Sequence, residues 1–154
     1  FNPAVTIAFF ITGHTKAKQL PVYLTAQAIG AFIGTIFVKF IFGDYALLGT
    51  NAPNLEFTMP EIIGYEILAT ALLMAVIYVV VHKKISKLSG IMIAGIIGLD
   101  VFFIGPISGA SMNPIRSLSP AIISGVTTDL WLYWTTPFIG TVIMAIFYRK
   151  KFQI

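Results

Sequence analysis

The sequence predicts an all-α membrane protein in which four transmembrane helices and two shorter half-helices form an inverted repeat. Three observations carry this prediction. Hydrophobic residues make up 57% of the 154 positions and charged residues only 10%, with a mean hydropathy of +0.90, too apolar for an ordinary soluble domain. Four apolar stretches are long enough, alone or with their flanks, to cross a bilayer as helices. An Asn-Pro pair occurs twice, each time opening an apolar stretch too short to span.

Taken in order, residues 2–11 form the first half-helix and residues 20–42 the first span, with Pro21 in a first turn that tolerates it. Residues 43–60, with Gly49, Asn51, Pro53, Asn54 and Pro60, read as an aqueous loop. Spans follow over 61–81 and 90–104, then a second half-helix over 113–123 and a last span over 131–147. The organisation is therefore a remainder of a first repeat (1–42), an extracellular loop (43–60) and a second repeat (61–154).

Basic residues set the orientation and exclude one class of partner. Lys16 and Lys18, then Lys83, Lys84 and Lys87, then Arg149, Lys150 and Lys151 fall at three span ends that become cytoplasmic. The opposite loops hold Asp44, Glu56 and Asp129, with Lys39 placed to snorkel and Trp131, Tyr133 and Trp134 as an interfacial anchor. A net charge of +4 split into such clusters forms no continuous basic face, so nucleic acid is not a partner. Cysteine is absent, the five methionines are scattered as packing residues, and no metal-ligand or nucleophile-base spacing exists. Neither a cofactor, a metal nor an enzymatic reaction is implied.

The repeat is readable in residues. Asn2-Pro3-Ala4 returns as Asn113-Pro114-Ile115, and Phe32-Ile33-Gly34-Thr35 returns as Phe138-Ile139-Gly140-Thr141 in the same order. An odd number of crossings between the copies inverts the second one. A proline at the first helical position needs no amide partner, and the preceding Asn can cap the helix or turn its amide into a cavity. Two helix amino termini meeting at mid-membrane, each with roughly half a positive charge, form a barrier to cations and protons. Neutral molecules with oxygen lone pairs can instead accept bonds from the Asn2 and Asn113 amides.

The segment from Phe1 to Phe9 and the segment Pro106-Ile107-Ser108-Gly109-Ala110-Ser111-Met112-Asn113-Pro114-Ile115-Arg116-Ser117-Leu118-Ser119-Pro120 resemble the two signature loops of the aquaporin, or major intrinsic protein, family. The second resembles the nodulin-26-like, aquaglyceroporin-like branch. The resemblance implies an aquaporin-like fold of six spans and two half-helices, with two spans expected ahead of Phe1. It further implies a multi-pass homotetramer in the lipid bilayer of the cell membrane that passes water and small uncharged solutes. By position it assigns Val101, Ala110 and Arg116 to the selectivity filter. The carbonyls of Gly109, Ala110, Ser111 and Met112 become pore acceptors, and Gln27 and Glu66 hold the half-helix loops. Ile115 stands where the family usually carries Ala, and Ser119 where Gly is common.

Small, apolar Val101 and Ala110 imply a constriction wider than a strict water filter, whereas Ser117, Ala121 and Tyr133-Trp134 resemble the water-channel pattern. Water is the minimum substrate; glycerol, urea and undissociated metalloid acids stay open. Asp100, a carboxylate inside an apolar span, is either a buried structural group or a pore-lining one. His14 and His82 are expected solvated at cytoplasmic ends, and Gly30 with Gly34 is expected to form a close-packing helix face. Two alternatives stay open: a secondary transporter, for which Asp100 alone could couple an ion, and a non-conducting truncated channel fragment.

Overall fold

The structure is a computed structural model that describes residues 1–152. Among them lie seven α-helices: α1 (Pro3–Ile11), α2 (Leu20–Phe42), α3 (Met59–His82), α4 (Ser89–Phe103), α5 (Gly105–Ser108), α6 (Pro114–Ser124) and α7 (Leu130–Phe152). Four runs, Leu20–Phe42, Met59–His82, Ser86–Phe103 and Leu130–Phe152, are long and apolar enough to cross a membrane. The third reaches that length because a 3₁₀ turn at Ser86–Leu88 leads directly into α4.

The half-helices are stopped at both ends by local chemistry. α1 has nine residues, roughly 13 Å of rise, less than half of the ~30 Å hydrocarbon core. The Asn2 side chain caps its first amides, accepting from Ala4 N at 3.0 Å. At the other end Gly13 takes φ +76°, a left-handed turn that continues no helix. α6 repeats the design, with Asn113 Oδ1 accepting from Ile115 N at 3.2 Å and Gly125 at φ +81°. The two caps have nearly identical backbones: φ −151°, ψ 114° at Asn2 and φ −150°, ψ 110° at Asn113.

Packing also follows a two-fold pattern. α1 lies against α7 and α2, and α6 lies against α2 and α7. The most extensive helix contact is α3 with α7, which depends on Gly140. A Cβ there would fall 2.6 Å from the Ile67 carbonyl oxygen and 3.0 Å from the Thr70 Cβ. One apolar cluster of Ala8, Met74, Tyr78, Ala145 and Tyr148 fastens α1 to α3 and α7. A second, with Ala69, Leu73, Ile104, Ala110 and Met112, fixes the segment before α6 on α3.

One expectation is not met among the described residues, and another is met with added contacts. Gly30 and Gly34 carry no close helix contact, since a Cβ at either position would meet nothing within 4 Å. They line the groove between α2 and α6, beside Ile115 and Ser119, where the two helices stand too far apart for close contact at either glycine. His14 and His82 are exposed but not merely solvated. His14 Nδ1 pairs with Thr12 Oγ1 at 2.8 Å, and its ring lies 5.7 Å from that of Tyr148. His82 packs on Phe152 at 3.8 Å between ring centroids. The end of α1 and the last turns of α3 and α7 converge there, so ring packing is available at the helix ends. Trp131 and Trp134 are exposed as an anchor requires, whereas Tyr133 is buried.

Candidate pore

Where α1 and α6 begin, their caps are tied together. Asn2 Nδ2 donates to the Met112 carbonyl at 2.7 Å, and Asn113 Nδ2 donates to the Phe1 carbonyl at 2.9 Å. Each Asn thus spends its oxygen on its own helix and one of its two amide hydrogens on the partner loop, which leaves the other free to donate. The two amino termini abut, so their positive ends are concentrated at one level.

The strand of backbone from Gly109 to Met112 approaches this junction in an unusual conformation. Gly109 has φ +92°, and Ala110 and Met112 are left-handed at φ +42° and +55°. Non-glycine residues hold such angles only where surrounding contacts enforce them. Glu66, fully buried on α3, supplies several. It accepts from Ser108 Oγ at 2.7 Å and from Ser111 N at 3.0 and 3.1 Å. Tyr133 Oη adds a bond to the Ser108 carbonyl at 2.7 Å. Gln27 braces the other half-helix, donating to Thr6 Oγ1 at 2.8 Å, and Thr6 donates on to the Asn2 carbonyl at 3.0 Å.

A cavity of about 800 Å³ runs past the junction. Asn2, Asn113, Val101, Ala110, Ser111, Met112 and Arg116 line it, so the filter and acceptor positions implied by the sequence border one cavity, apart from Gly109. The Gly109 carbonyl is occupied by Asn51 Nδ2 at 2.7 Å. The Met112 carbonyl is the one taken by Asn2. Pro3, Ala4 and Pro114 lie in the first turns of their helices, with Ala4 and Pro114 buried. Ile115 is buried and lines an adjoining groove between α6 and α2, which shares Phe1, Tyr23, Gln27, Asn113 and Arg116 with the cavity. Ser119, in the same groove, bonds to the Thr35 hydroxyl and to the Ala31 carbonyl at 2.9 Å, joining α6 to α2. Asp100 is buried, outside the cavity lining, and its Oδ2 has no partner among the described residues.

Sequence reasoning passed over Asn51, which it placed in an aqueous loop. This side chain is buried and binds Arg116 Nη1, Ser117 Oγ (2.7 Å) and the Gly109 carbonyl together. It lies 58 to 66 residues away in sequence from the groups it meets, and no local pattern announces that.

Fold and site together define a multi-pass membrane protein with two half-helices meeting at their amino termini. The chain matches the family model described as Major intrinsic protein over residues 1–148, and it belongs to that family. It is 37% identical to the probable aquaporin NIP7-1 of Arabidopsis thaliana, covering 97% of this chain and 54% of that protein. It is 42% identical to a probable NIP-type aquaporin of Nicotiana alata, covering 97% and 56%. Among solved structures, the X-ray structure of the aquaglyceroporin from Plasmodium falciparum superposes with a TM-score of 0.82 at 28% identity, covering 97% of this chain and 71% of that one. The chain spans about half the length of the curated relatives it matches.

Proposed function

We propose that this chain forms the pore-bearing part of a passive transmembrane channel for water and small uncharged solutes, with glycerol the first candidate beyond water. The observation that carries the reading is the reciprocal bonding of Asn2 and Asn113, which sets two positive helix ends side by side on an open cavity. Cations and protons meet an unfavourable potential there, while a neutral solute exchanges hydrogen bonds with the wall. Val101, half exposed on the cavity, and Ala110 offer little polar bulk, and Arg116 supplies donors and positive charge. The similarity to an aquaglyceroporin supports a solute larger than water.

In this reading Asn2-Pro3-Ala4 and Asn113-Pro114-Ile115 set the junction, Val101, Ala110 and Arg116 select, and the carbonyls of Ala110 and Ser111 accept from passing molecules. Gln27 and Glu66 hold the loops. Residues 1–42 and 61–154 are the two repeats, joined by an outer loop over 43–60. A homotetramer in the cell membrane follows from the family resemblance.

The test is stopped-flow light scattering of proteoliposomes carrying the full-length protein. Fast osmotic water flux and glycerol uptake, with no dissipation of an imposed pH gradient, are expected. Solute flux that requires a sodium or proton gradient would replace the channel with a coupled transporter.

A further inference from the structure

We propose that Asn51 is a positioning residue for the constriction, holding the Arg116 guanidinium against the wall and thereby setting both solute preference and charge exclusion. The inference rests on the channel reading and adds to it a residue from the outer loop.

The loop is built to deliver this one side chain. Ala46, Leu47 and Leu48 are consecutively left-handed, at φ 48°, 49° and 58°, an arrangement that L residues adopt only under tertiary constraint. The constraint is visible on both sides of Asn51. Thr50 Oγ1 pairs with Ser124 Oγ at 3.0 Å at the end of α6, and Asn54 N donates to the Ile107 carbonyl at 3.0 Å in α5. Between these two anchors Asn51 is 9% exposed, although its neighbour Ala52 is open to solvent.

Donor and acceptor chemistry fixes which way the amide faces. Arg116 and the Gly109 carbonyl admit no exchange of roles, because a guanidinium only donates and a carbonyl only accepts. Oδ1 therefore faces Arg116 Nη1 and Ser117 Oγ, and Nδ2 faces Gly109. Ser117 Oγ pairs in turn with Ser111 Oγ at 2.5 Å, so the guanidinium and the acceptor backbone share one network. Arg116 remains exposed to the cavity, and Asn51 is the side chain that holds its Nη1. Without it, nothing among the described bonds prevents the long side chain from leaving the wall.

The experiment measures the ratio of glycerol to water permeability in the same proteoliposomes, together with sodium leak, for the full-length protein. Losing a bond of ordinary net strength shifts a rotamer population roughly five-fold, so Asn51→Ala should move the ratio by about that factor. In an Arg116→Val background the same substitution should leave the ratio where Arg116→Val alone puts it. An equal shift in both backgrounds would mean that Asn51 acts on the loop and not through Arg116, overturning the inference.

Asn51→Asp gives a second, shape-conserving arm. It keeps the acceptor for Arg116 but loses the donor to the Gly109 carbonyl, so the ratio should move less than in Asn51→Ala, while its charge offsets the guanidinium and sodium leak should rise. A ratio displaced as in Asn51→Ala, or no leak, would also overturn the proposal. A wild type that conducts no water would instead overturn the channel reading itself.

Discussion

Asn2 and Asn113 hold each other by exchanged bonds. The Asn2 amide reaches the carbonyl of Met112, the residue before Asn113, and the Asn113 amide reaches the carbonyl of Phe1, the residue before Asn2. A local two-fold axis that sends one Asn onto the other also sends one bond onto the other. The same operation exchanges the α1–α7 contact with the α6–α2 contact. The repeated tripeptide in the sequence is thus a repeated piece of geometry.

If the exchange fastens the half-helices, Asn113→Ala should cost more than a helix cap. The cap is worth about 1 kcal/mol and the cross-bond adds a similar amount, so ~2 kcal/mol is expected. Asn113→Asp keeps the acceptor that caps α6 but loses the donor to Phe1, isolating the second contribution at ~1 kcal/mol. Equilibrium unfolding in detergent measures both. An Asn113→Asp variant as stable as wild type would show that the cross-bond contributes nothing, and equal stabilities for the two variants would show the same of the cap.

Glu66→Gln probes the support of the acceptor backbone. Glu66 receives the Ser108 hydroxyl and the Ser111 amide with its two oxygens. A glutamine has one acceptor oxygen, and its NH₂ would face a donor inside a fully buried site. A loss of about 1–3 kcal/mol in stability is expected, with reduced water flux per reconstituted molecule. Unchanged stability and flux would remove Glu66 from the support.

The legible parts of the sequence were those whose cause is local. Span length and apolarity gave α2 the observed bounds Leu20–Phe42, and each Asn-Pro marked a helix start because capping needs only the next few amides. Other features depend on remote partners. The one-turn helix α5 and the left-handed Ala46–Leu48 have no periodic signature, and Asn51 gains its meaning from Gly109 and Arg116. The repeated Phe-Ile-Gly-Thr makes the same point, since Gly140 is pressed onto α3 while Gly34 meets nothing.

Gly140→Ala should accordingly disturb the α3–α7 contact. Its Cβ would sit 2.6 Å from the Ile67 carbonyl oxygen, a backbone atom that cannot swing away as a side chain can. Parting two packed helices by the needed fraction of an ångström costs about 1–3 kcal/mol, as overpacking generally does. Thermal unfolding in detergent should show a lowered midpoint. A midpoint equal to wild type would mean that the two helices approach less closely than described.

The remaining prediction concerns which molecules pass. Val101 is half exposed on the cavity that also exposes Arg116, so under the proposed channel reading its replacement acts on the constriction. Val101→His adds bulk and a polar ring, and a narrower opening penalises a three-carbon solute more than a single water. Glycerol permeability should therefore fall by about ten-fold or more while water flux falls less, a difference of ~1.4 kcal/mol between the two barriers. Arg116→Val acts on charge instead. It removes the cation next to the half-helix junction and leaves the dipoles of α1 and α6 as the barrier to ions, so proton or sodium leak should appear while neutral flux persists. The two variants weigh size and charge differently at one cavity, since Val101→His adds bulk without a fixed charge and Arg116→Val removes the charge. Equal loss of glycerol and water flux in Val101→His would place the narrowest point elsewhere, and an ion-tight Arg116→Val would assign charge exclusion to the paired helix ends alone.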